Sequence, residues 1–189
     1  MRKIIIGCVA AAIIGVGAWG ALALDEAPKQ NENATASVSD KPLTAEAAPS
    51  SAGDSTPPLD LVNNTEKGQL KNPYNDKIKA MADEGHKKYL SAGCNGCHGG
   101  GGGGGMCPPL TNDTFVYGAD DDTLFRLIAL GSDELQKQGY KRVKHEVVTG
   151  PMPPFGQIIK TSDDLWKIIA FIRSVNPESM APPSPPPPQ

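Results

Sequence analysis

Residues 94–110 read CNGCHGGGGGGGMCPPL, and this stretch constrains the chain more than any other. Cys94, Cys97 and His98 stand together, then come seven consecutive glycines, Gly99–Gly105, and a third cysteine, Cys107. A glycine run makes a pliable loop, and missing side chains let its backbone approach a neighbour closely. No useful strand alternation flanks it. Three stretches have helical spacing instead. In residues 72–93, Ile78, Met81 or Ala82, Gly85 and Tyr89 share one side, and the helix ends near Gly93. "DDDTLFRLIALG" opens with acids at the favourable end of the helix dipole and has Gly131 as its C-terminal stop. "SDDLWKIIAFIRSVNP" starts from Thr161 or Ser162, carries Leu165, Ile168, Ile169 and Ile172 on one face, and ends before Pro177. The expected fold class is all-α. Asp120, Asp121 and Asp122 read as a solvated helix start rather than a metal site, because the spacing of a calcium loop is missing.

Cys94-Asn-Gly-Cys97-His98 fits C-x-x-C-H, the attachment pattern of c-type haem. Two thiols at this spacing can add to two vinyl groups, and the adjoining imidazole then reaches the iron axially. Three other chemistries compete. A redox dithiol would follow a strand, and none is visible. Zinc bound by Cys94, Cys97, His98 and Cys107 has suitable ligand types, but seven glycines are a poor means of fixing a tetrahedron. A disulfide leaves His98 without a role. A phosphate-binding loop is excluded, since no Gly-Lys-Ser/Thr follows the glycines. One covalently attached haem c is therefore the expected cofactor.

An iron held by His98 wants a sixth ligand, and the candidates are Met81, Met106, Met152, Met180, His86 and His145. Met152 stands in "TGPMPPFG", about fifty residues after His98, where prolines on both sides stiffen the loop. It is the expected ligand. Met106 is its main rival, though close to His98 in sequence. His86 lies within the first helix, and His145 stands beside Lys141, Arg142 and Lys144 as a surface residue.

The order of an amphipathic helix, "CNGCH", "PPL", a middle helix, "GPMPPFG" and an aromatic-rich last helix resembles the class I c-type cytochromes over residues 75–175. The resemblance implies an all-α domain around a single haem, with thioether links at Cys94 and Cys97 and axial ligands at His98 and Met152. It implies that Gly85 and Tyr89 pack near Phe171, where the first and last helices cross. It also implies that Pro108 orients His98 through its carbonyl. Within the family, "GGGGGGGMCPPLTND", "DDDTLFRLIALGSD" and "GPMPPFG" are most similar to cytochromes linked to methanol and other quinoprotein alcohol dehydrogenases.

The ends of the chain read differently. Residues 1–23 have Arg2 and Lys3, an apolar stretch and Ala21-Leu22-Ala23, the pattern of a cleaved signal peptide; the alternative is an uncleaved anchor, since Ile4 to Leu24 is long enough. Cys8 would leave with it. Residues 24–70 carry eight carboxylates against three lysines and few large apolar groups, so they are expected to be a disordered acidic linker. The domain is placed at 71–178 and a proline-rich tail at 179–189. From Lys71 onward acids and bases balance at 13 each, which gives no reason to expect nucleic acid or a membrane surface as partner.

An iron with both axial positions filled carries electrons rather than binding substrate. The reading is a periplasmic electron-transfer protein, not an enzyme, with a quinoprotein (PQQ) methanol or alcohol dehydrogenase as donor and another cytochrome or a terminal oxidase as acceptor. The alternatives are a haem-based gas sensor or peroxidase-like enzyme with a displaceable Met152, and a structural subunit of a larger complex. Lys137, Lys141, Arg142 and Lys144 are candidates for steering an acidic partner, against the plainer reading of a solvated basic loop. Cys107 stands where the family usually has glycine and is expected to be a buried, inert thiol, with an intermolecular disulfide as the second reading.

Overall fold

A computed structural model describes residues 51–176. The expected signal peptide at residues 1–23, the expected linker up to residue 50, Met180 and the proline-rich tail lie outside the described residues. Among the described residues there is no strand. The elements are α1 (Pro58–Asn64), a 3₁₀ turn (Asn75–Lys77), α2 (Ile78–Ser91), α3 (Asn95–His98), α4 (Asp121–Lys137) and α5 (Ser162–Val175).

The frame is the crossing of α2 and α5. A Cβ on Gly85 would lie 1.9 Å from the Lys167 carbonyl oxygen and 3.0 Å from Phe171 Cβ, so only glycine lets the two backbones meet. Tyr89 and Phe171 pack with ring centroids 5.0 Å apart. Thr161 caps α5 by accepting from the Asp164 amide at 3.1 Å. α2 ends as expected, with Gly93 at φ 84° just beyond it. Phe125 of α4 and Trp166 of α5 are fully buried against each other, centroids 4.3 Å apart, and form the base of the core.

Residues 51–70 correct the expected linker boundary, because they are packed against the domain. Val62 and Leu70 are buried. Thr56 O accepts from Ser162 N at 2.8 Å and Asp54 O from Asp163 N at 3.0 Å, which satisfies first-turn amides of α5 that have no partner within the helix. Arg126, buried in α4, donates to the carbonyls of Val62, Thr65 and Glu66 at 3.1, 2.6 and 3.1 Å and to Asp122 Oδ2 at 3.0 Å. Composition missed this belt because backbone carbonyls received by one guanidinium do much of what a larger apolar surface would otherwise do.

Two readings of α4 also change. Asp121 and Asp122 are buried, not solvated. Asp121 accepts from Arg173 at 2.6 Å and from Asn72 N at 2.9 Å, while Asp122 accepts from Arg126 and from the Tyr140 hydroxyl at 2.7 Å. Only Asp120 caps, accepting from Thr123 N at 2.9 Å. Buried carboxylates persist where their charges are paired, as here. Gly131 does interrupt the helix, at φ 76° and ψ 166°, but α4 resumes beyond it to Lys137.

Asp163 joins the belt to α5. It accepts from the Tyr74 hydroxyl and from Gly53 N at 2.8 Å, and pairs with Lys167 at 3.0 Å. Burial pushes its pKa up, but the Tyr74 and Lys167 hydrogen bonds outweigh that and hold it below the usual carboxylate value of 3.8. A depressed folded-state pKa contributes stability that is complete above the unfolded value and is lost as pH falls through the folded one. Asp163→Asn should therefore narrow the gap between urea midpoints measured at pH 7 and pH 3. An unchanged gap would remove Asp163 from the acid response.

Candidate haem site

Cys94, Cys97 and His98 stand at i, i+3 and i+4, so a single helical turn puts all three on one side. The turn is made by Cys97 N and His98 N donating to Cys94 O at 3.3 and 3.0 Å. α2 runs into it through Cys94 N donating to Tyr89 O at 3.2 Å. All three side chains line one cavity of about 400 Å³, whose walls include Leu124 and Ile128 of α4 and Ile168 and Ile172 of α5. Burial pushes the Cys94 thiol up to about 11 and the Tyr89 hydroxyl up to about 12.

The glycine run is not slack. Gly104 N donates to His98 O at 2.9 Å, Cys107 N to Cys97 O at 3.1 Å, and Leu110 N to Gly102 O at 2.7 Å, so the loop folds back on the α3 turn. Tyr89 donates to Gly99 O at 2.6 Å, and His86 Nε2 meets Gly100 O at 2.7 Å. Glycine is demanded at Gly99, at φ 78°, where a Cβ would lie 2.5 Å from Gly104 O. Gly100, Gly101 and Gly103 show neither crowding nor positive φ.

The fold-back delivers Pro108. Its carbonyl lies 2.9 Å from His98 Nδ1. A carbonyl only accepts, so Nδ1 carries the proton and Nε2 keeps its lone pair for a metal. Cys107 is half-buried, lines the same cavity and lies beside Cys97. Burial, then its hydrogen bond with Cys97, raises its thiol pKa.

Met152 reaches the cavity from the loop before α5. The break at Gly131 receives it. Met152 N donates to Ser132 Oγ at 3.0 Å, and Ser132 N donates to Met152 O at 2.9 Å. Phe155 N and Gly156 N donate to Ile128 O and Ala129 O at 2.9 and 3.0 Å, carbonyls that an unbroken helix would use internally. This dock went unread in the sequence, where Gly131 signalled only an ending.

The other ligand candidates are placed elsewhere. Met106 is 61 % exposed. His86 stacks on Phe171 with centroids 4.5 Å apart, His145 is exposed, and Met81 packs on the apolar core; none of the four lines the cavity. Among the described residues no group of His, Cys, Asp and Glu is arranged to hold a metal ion by itself. Two thiols and an imidazole on one turn, a thioether from a second loop and aliphatic walls fit a flat apolar macrocycle with a central iron.

A helical shell around such a cavity defines a protein that holds haem covalently. The family model for cytochrome c matches residues 82–176, half of the 189-residue chain, and the chain belongs to the cytochrome c family. Its cofactor is covalently attached haem c, and it is an electron-transfer haem protein. The belt from residue 51 to the 3₁₀ turn lies upstream of the matched region. Neither a curated protein nor a solved structure matches the chain significantly.

Proposed function

We propose that the chain is an exported single-haem carrier that accepts electrons from a quinoprotein methanol or alcohol dehydrogenase and passes them to another cytochrome or a terminal oxidase. The observation that carries the electron-transfer reading is one cavity lined by His98, braced on Pro108, and by Met152, docked on Ser132. In this reading Cys94 and Cys97 would hold the haem through thioether links, and His98 Nε2 and the Met152 sulfur would bind its iron. Bound haem supplies a one-electron couple between ferrous and ferric iron. Pro108 fixes the tautomer and orientation of His98, and the α4 and α5 side chains exclude water. Thioether ligation favours the ferrous state and raises the potential, which suits a carrier.

Export rests on the signal-like residues 1–23. Among the described residues no helix is long and apolar enough to cross a membrane. The donor assignment rests on the motif similarity and on charge. Lys141, Arg142 and Lys144 are exposed in a loop whose Arg142, Val148 and Gly150 line the cavity, so this loop borders the route to the cofactor. Opposite charge on a partner would raise the encounter rate in a salt-dependent way. Ferric protein mixed with substrate-reduced quinoprotein dehydrogenase should be reduced, more slowly as ionic strength rises. Absence of reduction at every ionic strength would overturn the donor assignment.

A further inference from the structure

Pro151, Pro153 and Pro154 have no amide hydrogen, so Met152 holds the only backbone N–H between residues 151 and 154. Both backbone groups of Met152 go to one residue, its N–H to Ser132 Oγ at 3.0 Å and its carbonyl to Ser132 N at 2.9 Å. Ser132 is 5 % exposed and itself lines the cavity. Gly131 admits the arm at close range, since a Cβ there would lie 2.7 Å from Met152 O and 2.8 Å from Pro154 N. The arm is therefore stiff within itself and clamped at two points on one residue. The next amides along the chain, Phe155 N and Gly156 N, are already bonded to Ile128 O and Ala129 O, and the flanking prolines have none, so no free amide of the arm can take over from that of Met152 if the hydroxyl is lost.

We propose that Ser132 is a positioning residue for the axial sulfur: by accepting the Met152 amide hydrogen, its hydroxyl sets how firmly the sulfur is kept on ferric iron against ligands from solution. This rests on the reading of Met152 as the axial ligand. Ser132 touches the ligand's backbone and not the iron, so its removal should leave the resting coordination intact and change the rate of exchange. The hydroxyl and the two bonds of the Phe155–Gly156 stretch act together, but only the hydroxyl bond can be removed by a side-chain change that leaves the backbone untouched.

The test uses full-chain holoprotein in the ferric state, mixed with imidazole in a stopped-flow instrument, for wild type, Ser132→Ala, Met152→Ala and Thr161→Ala. The Thr161 variant removes a comparable side-chain-to-amide bond at the start of α5 and reports what general loss of stability does. Imidazole should bind Ser132→Ala about tenfold faster than wild type, the scale of one lost buried hydrogen bond. The weak red-edge absorption of sulfur-ligated ferric haem should persist in Ser132→Ala at rest, and Thr161→Ala should match wild type in imidazole uptake. Equal rates for Ser132→Ala and wild type, or equal acceleration in Ser132→Ala and Thr161→Ala, would overturn the positioning role. Retention of the red-edge absorption in Met152→Ala would instead overturn the ligand assignment beneath it.

Discussion

Gly85→Ala is expected to destabilise the protein by about 3 kcal/mol, at the upper end of what overpacking usually costs. The added Cβ would sit 1.9 Å from a backbone oxygen of α5, and no rotamer change can relieve a clash with backbone. The helices must separate, which loosens Tyr89 against Phe171 and His86 against Phe171 together. A loss of that size should lower the thermal midpoint of the holoprotein by roughly 10–20 °C for a domain of this length. Gly100→Ala serves as the comparison, since a Cβ there meets nothing within 4 Å, and it should move the midpoint little. Equal effects from the two substitutions would mean that the crossing is not set by Gly85.

Met152→Ala should have the largest effect on function. It removes the thioether while leaving the backbone of the loop able to keep its bonds to Ser132, Ile128 and Ala129. The reduction potential should fall by on the order of 100 mV, a modest part of the ~0.8 V that axial ligands span. The vacated position should also let ferrous protein bind carbon monoxide quickly. Electrochemistry and flash photolysis read these two outcomes separately. A potential and carbon monoxide reactivity like those of wild type would place the sixth ligand elsewhere.

Local spacing made much of the site legible. C-x-x-C-H needs one helical turn, and α3 is that turn. The Thr161 cap and the Gly85 crossing follow from residues whose partners lie in the same helix or in the one neighbour the family pattern supplies. The similarity also placed the Pro108 carbonyl on His98 without any local signal for it. What escaped reading depends on partners distant in sequence. Asp121 and Asp122 look like a solvated helix start until Arg173 and Arg126 arrive, the first from another helix and the second bound to carbonyls of the belt. The belt itself has too few apolar residues to declare itself, and its hydrogen bonds to Arg126 and to the first turn of α5 are invisible to composition. The glycine run looked like slack because repeated glycine carries no pattern. Its order comes from bonds back to His98 and Cys97, and only some of its members need to be glycine.

In the proposed reading, the His98 imidazole and the Met152 thioether would both hold the iron, which suits a carrier rather than a sensor or a peroxidase. The absorption spectrum of the purified ferric protein, recorded at the red edge, tests this most directly. Ligation by His98 and Met152 predicts the weak sulfur-to-iron absorption in wild type, its loss in Met152→Ala, and negligible carbon monoxide binding by ferrous wild type. A ferric spectrum without that absorption, together with rapid carbon monoxide binding by the wild-type ferrous protein, would contradict it.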